Sequence, residues 1–241
     1  CFPRLPPPNK LFRRYTDIIT TLVNIYNTGC CMIKKRNPLS YALTGLVCLL
    51  MCGGIIAVWA GAPASASVSA DPRAVYSGSS ETSVALMFNV YSGEEYIPSI
   101  IDTLKSEGAS ATFFIGGCWA EKNADTLRSI SDGGFETGSH GYLHRDHSAL
   151  GYDANLEEMR VADRLISDIT GTPVKLFAPP SGAYSSDTLD AAEHMGYVTV
   201  LWSKDTIDWR DHDATLITER AVKNVKGGDF IPMHPTKETA E

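Results

Sequence analysis

From about residue 81 onward, short apolar runs alternate with stretches whose apolar residues recur every three or four positions. Residues 83–88 read as a strand. Within 94–107, Ile97, Ile100, Ile101 and Leu104 fall on one helical face, and Gly108 ends the period. Residues 111–115 give the next strand, 119–131 a helix that stops at Gly133-Gly134, and 135–139 a short strand. The longest helix is predicted over 154–170, closed by Gly171. Strands follow at 175–178, 198–202 and 230–233, with helices near 186–195 and 214–225. Repeated strand–helix alternation predicts an α/β fold with a parallel sheet or barrel inside and helices outside, and in such folds chemistry sits where strands end. No internal repeat is visible.

The first third of the chain has a different pattern. Residues 41–62 carry no charge, and about 20 apolar residues suffice to cross a bilayer as a helix. A secretory apolar core usually needs only about 7–15 residues, so an uncleaved anchor is one reading. The small-x-small pattern over 62–70 offers cleavage sites, so a signal peptide is the other. Met32, followed by Ile33-Lys34-Lys35-Arg36, opens like an export signal. Residues 1–31 are therefore expected to lie upstream of the natural start. Residues 32–70 are expected to be signal or anchor with its linker, 71–80 linker, and 81–241 the globular domain. Up to Arg36 there are seven Lys/Arg and one acid, Asp17, whereas the remainder holds 14 basic and 27 acidic residues. A basic head before an apolar run places the rest outside the cytoplasm. The acidic domain argues against nucleic acid, which needs a basic face. Of six cysteines only Cys118 lies in the domain, so no disulfide within it and no paired-cysteine metal site are expected.

Polar clusters mark the predicted strand ends: 89–96, 139–144, 205–209 and 234–235, with 177–182 between them. His140 and His144 are four apart. On a helical turn that spacing puts both imidazoles on one side, as metal chelation requires, although any single histidine is more often a surface or satisfied core residue. Gly141 after the first His excludes the HExxH protease pattern. His234 and Asp205, at neighbouring strand ends, are candidates for a carboxylate–imidazole pair acting as general acid. Trp209 and Tyr142 are candidates for stacking on a sugar face or for groove wall. Glu94 and Glu95 open a predicted helix, where acids are favoured by the dipole whatever their function.

Taken in order, these segments resemble the NodB-homology family of metal-dependent polysaccharide deacetylases, carbohydrate esterase family 4, over residues 81–241. His140-Gly141-Tyr142-Leu143-His144 resembles the family's His-Ser/Thr-x-x-His motif. Asp205-Thr206-Ile207-Asp208-Trp209 resembles its Asp-x-x-Asp-Trp motif, and Ile231-Pro232-Met233-His234 its last one. Residues 111–116 are similar to its second strand. The first motif, usually Thr-Phe-Asp-Asp-Gly, reads Met87-Phe88-Asn89-Val90-Tyr91. The third, usually Arg-x-Pro-Tyr, reads Ala178-Pro179-Pro180-Ser181. The usual base Asp is thus Asn89, the usual metal-ligand Asp is Val90, and the usual Arg is Ala178.

The resemblance implies a distorted (β/α) barrel and removal of N-acetyl groups from an amino-sugar polymer such as peptidoglycan. A divalent metal, commonly zinc, would be held by His140 and His144, with Glu95 or Asn89 as a further ligand. His234 and Asp205 would be catalytic, and Tyr91, Pro180, Ser181, Asp208 and Trp209 would line the substrate groove. The departures at Asn89, Val90 and Ala178 leave a second reading: a catalytically inactive glycan-binding domain of the same fold. A monomer outside the cytoplasm, secreted or membrane-anchored, is expected. The family usually continues through a further helix and strand beyond Glu241, so the domain is expected to be truncated at its C-terminal side.

Overall fold

The computed structural model describes residues 71–241. The predicted apolar segment 41–62 and the proposed start at Met32 lie outside the described residues. Among the described residues, no helix is long and apolar enough to cross a membrane.

Among the described residues, seven strands form one sheet: β1 (Ala74–Val75), β2 (Ala85–Val90), β3 (Ala111–Ile115), β4 (Glu136–Ser139), β5 (Leu176–Phe177), β6 (Val198–Val200) and β7 (Phe230–Met233). Their spatial order is β1-β6-β5-β4-β3-β2-β7, and every pairing between them is parallel. The intervening helices are α1 (Ile97–Ser106), α2 (Gly117–Lys122), α3 (Ala124–Asp132), α4 (Tyr152–Thr170), α5 (Ser186–His194), α6 (Ala214–Val222) and α7 (Lys237–Ala240).

Successive side chains of a strand point to opposite faces, so the sheet has two cores. Phe88, Val90, Phe113, Ile115 and Phe177 face the helices and pack with Ile97, Leu104, Leu127, Ile130, Met159, Ala162 and Ile166. The Phe88 and Phe113 rings stack at 4.9 Å, directly opposite each other in the register. The alternate positions Met87, Phe114, Ala178 and Val200 make a second cluster on the other face. Each fully buried Phe, Leu, Ile or Met among them contributes about 1.5–3 kcal/mol. Asn89 lies on that second face, two residues from Met87 and opposite Phe114.

Three details differ from the expectation. The segment read as one helix over 119–131 is two, α2 and α3, parted at Asn123, whose side-chain amide donates to the Trp119 carbonyl at 3.0 Å. Ala74–Val75, inside the expected linker, pairs with β6 because Ala74 finds cover against Leu189 and Leu201. Glu94 and Glu95 precede α1 in a turn, and α1 has no acid in its first turn. On the far side of the sheet β7 lies beside β2, with Phe88 opposite Met233, and Asp229 bridges back to Ser77. Because all strands run the same way, the loops after β2, β4, β5, β6 and β7 emerge at one end.

Candidate active site

His140 follows β4 directly. Its backbone N–H extends the ladder to the Ile115 carbonyl, and its side chain is buried. His140 Nδ1 lies 2.7 Å from the Ala178 carbonyl. A carbonyl can only accept, so Nδ1 carries the proton and Nε2 keeps its lone pair. Burial, reinforced by the neighbouring His144, pushes this imidazole well below the usual histidine range. His144 stands beside it with ring centroids 5.1 Å apart. Burial lowers its pKa as well.

The spacing of four does not act through a helical turn, as the sequence suggested. Residues 141–146 are an irregular loop, and the rings meet because Gly141 (φ 73°) and His144 (φ 53°) both take left-handed backbone. Gly141 is required there, since a Cβ would lie 2.6 Å from His147 Nε2.

The carboxylate that reaches His234 is Asp208, not Asp205. Asp208 Oδ1 accepts from His234 Nδ1 at 2.8 Å, and Oδ2 accepts from the His234 backbone N–H at 2.6 Å and the Thr239 hydroxyl at 2.8 Å. The Asp208 side chain is wholly buried, so it is not groove wall. Burial alone would raise its pKa, but the bonds and charge from His234 outweigh this and hold it below the ordinary carboxylate value. Asp205 is exposed and has a different task. Its Oδ1 caps the Ile207 N–H at 2.9 Å, closing a turn in which Ile207 adopts φ 57°. That turn swings the chain so that the residue three places on points inward. Thr206 anchors the turn by donating its hydroxyl to the Pro232 carbonyl at 2.7 Å, and Arg220 donates to the Thr206 carbonyl at 3.1 Å.

Tyr91 sits among the three imidazoles. Its ring centroid is 4.0 Å from that of His144, 6.0 Å from His234 and 6.3 Å from His140. Burial, with the Asp208 charge, raises its phenol pKa. Asn89 is buried and its Oδ1 has no hydrogen-bond partner. Val90, fully buried, points into the helix-side core. Pro180 is buried, Ser181 is exposed with φ 56°, and Trp209 is 56 % exposed with the Arg210 guanidinium 5.9 Å from its ring centroid. Glu95 is exposed.

Residues missed from the sequence lie one layer back. Asn155 and Glu158 are polar yet sit on the buried face of α4, with Met159, Ala162 and Ile166. Two polar residues interrupting an otherwise apolar stripe were the available signal.

The model of the polysaccharide deacetylase family matches residues 77–200. The chain belongs to this family. It is 34 % identical to the uncharacterized protein YlxY of Bacillus subtilis, over 72 % of this chain and 54 % of that protein. It is 31 % identical to a peptidoglycan-N-acetylglucosamine deacetylase of Bacillus cereus, over 64 % of this chain and 56 % of that protein. The chain therefore spans about half the length of these curated relatives. Among solved structures, a CE4 family pseudoenzyme from Bacillus anthracis superposes with TM-score 0.69 at 32 % identity, covering 70 % of this chain and 61 % of that one. A mutant of the same protein carries restored enzymatic activity.

The family implies a divalent metal, and the residues can be tested against it. His140 Nε2 is unprotonated and His144 is adjacent, as two imidazole ligands would be. The buried, unpartnered Asn89 Oδ1 is a third neutral donor at the same end of the sheet. Among the described residues, no group of three His, Cys, Asp or Glu side chains could hold a metal, so no carboxylate, Glu95 included, joins the two histidines. Two imidazoles and an unpartnered amide oxygen are the donors these residues offer, with no protein anion among them.

Proposed function

We propose that the domain is a polysaccharide N-deacetylase that hydrolyses the acetamido group of an amino-sugar polymer of the cell envelope, with peptidoglycan as the substrate class. One observation carries this reading: the buried Asp208 carboxylate accepts three hydrogen bonds, two of them from a half-buried His234, and the Tyr91 ring packs among this imidazole and those of His140 and His144. A buried carboxylate is costly unless paired, so a pair held this completely is consistent with a working acid–base group. The named activities of relatives support the substrate class. Export and membrane attachment through residues 32–70 belong to the same proposal.

Asn89 cannot take a proton from water near neutral pH, so the work of base and acid falls on one residue. Asp208 holds His234 with Nδ1 protonated, which leaves Nε2 to accept. As water adds to the acetyl carbon, His234 Nε2 takes its proton. As the carbon–nitrogen bond breaks, the same nitrogen returns that proton to the amine, and acetate leaves. His140 and His144, with Asn89 Oδ1, would hold the metal, for which zinc suits the imidazole ligands. A divalent ion held by them would supply Lewis-acid polarisation of the acyl oxygen. Trp209 and Ser181 are exposed and would line the groove for the glycan.

Acetate release from peptidoglycan and from chitin oligomers, measured on the full chain with and without added Zn²⁺, tests the proposal. Release that is lost in His234→Ala supports it. A second reading has its own observation: the base and ligand positions are filled by Asn89 and Val90, and a relative of the same fold is a pseudoenzyme. Retention of the full chain on peptidoglycan without any acetate would establish that reading, a non-catalytic glycan-binding domain, instead.

A further inference from the structure

We propose that Glu158, backed by Asn155 and His147, is a positioning residue that holds residues 141–145 in the shape that sets His144 beside His140. The inference rests on the reading of those two histidines as a working pair.

The loop has little reason to adopt this shape by itself. It contains a left-handed residue that is not glycine, His144, and such backbone is disfavoured by contact of Cβ with the carbonyl oxygen. It persists because its backbone is gripped from both sides. Glu158 Oε2 accepts from the Tyr142 N–H at 3.0 Å and the Leu143 N–H at 2.8 Å. On the opposite side, the Gly141 carbonyl accepts from the Gly117 N–H and the Tyr142 carbonyl from the Cys118 N–H, both at 2.9 Å. Bonds from amides to an ionised carboxylate are about twice as strong as neutral ones. Glu158 is buried, and the Arg145 guanidinium lies 3.8 Å from its other oxygen.

Behind the loop is a second layer. Asn155 donates its side-chain amide to the carbonyls of His147, Leu150 and Gly151 at 3.2, 2.9 and 3.2 Å. Its oxygen is therefore what faces His147 Nδ1 at 2.7 Å, so Nδ1 carries the proton. His147 Nε2 is left buried, unprotonated and without a hydrogen-bond donor. It is aimed at Gly141, where the missing Cβ leaves room for it. The Thr188 hydroxyl fixes the His147 carbonyl at 2.9 Å. Leaving a buried acceptor unpaired is unfavourable, and here it accompanies a backbone approach that no other residue at 141 would permit.

The test compares Glu158→Ala and Glu158→Gln in the full chain by NMR. The readouts are the exchange rates of the Tyr142 and Leu143 amides and the NOE between the Tyr91 and His144 rings. In Glu158→Ala both amides are expected to exchange at least about tenfold faster and the NOE to vanish, while amides of β3 stay protected. In Glu158→Gln the side-chain oxygen still accepts both amides, so the NOE is expected to survive. An alanine variant that keeps the NOE and the protected amides overturns the proposal. If the alanine variant does not fold, Glu158→Gln decides alone. Exchanging a charged for a neutral acceptor must move the Tyr142 and Leu143 amide proton shifts, and unmoved shifts overturn the proposal. A chain that releases no acetate would count against the proposed function and leave this test intact, because none of its readouts uses activity.

Discussion

Replacing Asp208 by Asn separates the structure from the sequence-level reading more sharply than any other single change. The Asn amide has one acceptor and one donor group where the carboxylate had two acceptors. Its NH₂ cannot face the His234 backbone N–H, because two donors would then meet across 2.6 Å. The oxygen must therefore stay there, also serving the Thr239 hydroxyl, and the NH₂ must face His234 Nδ1. The imidazole then has to accept at Nδ1 and carry its proton on Nε2. The three bonds to an ionised acceptor become neutral ones, and the buried charge disappears with them. The net loss of stability is about 1–2 kcal/mol. Catalysis suffers far more, since a protonated Nε2 cannot take a proton from water. Wrong-tautomer variants of other carboxylate–histidine hydrolases lose about 10⁴ in kcat. Long-range ¹H–¹⁵N correlation spectra report the tautomer directly, urea unfolding the stability, and acetate release the rate. Asp205→Asn, which touches only the turn at Ile207, is expected to leave the tautomer and the rate within about threefold. Retention of the Nδ1–H tautomer in Asp208→Asn, or a greater effect at Asp205, would refute the argument.

Stability should fall as pH drops below the ordinary histidine value of 6.5, because burial lowers the pKa of His140 and His147 in the fold and the unfolded chain takes up protons first. Each histidine that stays neutral costs about 1.4 kcal/mol per pH unit, measurable by urea unfolding at pH 7.5 and 5.5. Equal stability at the two values would contradict the assigned neutrality. Gly93→Ala is expected to lose about 2–4 kcal/mol, because Gly93 has φ 79° and a Cβ would lie 1.8 Å from the Pro235 carbonyl oxygen, which is backbone and cannot step aside. Thermal melts that stay within a degree of the parent would show that the two loops do not touch in solution. Asn89→Asp supplies a base where only an amide stands, and is expected to raise acetate release by about 10²-fold or more in the presence of Zn²⁺. No gain there would mean that the missing carboxylate is not what limits the site.

Much of the architecture was legible in the sequence because apolar periodicity reports burial directly. The strand at 230–233 and the helix near 186–195 fall where the pattern puts them, since each has one apolar face and a clear stop. The break at Asn123 was not legible, because the apolar stripe runs on through it. Ala74–Val75 is too short to carry a pattern. In the site, the identity of the chemistry-bearing segments could be read, but not the partner of His234. Asp205 and Asp208 are alike in type and three apart, and only the left-handed turn at Ile207 decides which of them faces inward. Glu158 and Asn155 escaped because a polar residue on a helix is read as solvent-facing until the neighbouring loop is known.

The position of β7 at the β2 edge of the sheet governs when the site can come into being. Local pairs such as β2 with β3 close short loops and can form early, whereas β7 must return across nearly the whole domain to lie beside β2. His234 arrives on that strand, and Thr239, which completes the bonding of Asp208, follows it. Until then Asp208 is a carboxylate with neither imidazole nor hydroxyl, and the histidines after β4 face no proton carrier. The groups that bond Asp208 thus come on or just after the strand whose pairing closes the longest loop. A chain halted before residue 234 would contain the His140–His144 pair and most of both cores, but neither His234 nor Thr239 to pair with Asp208.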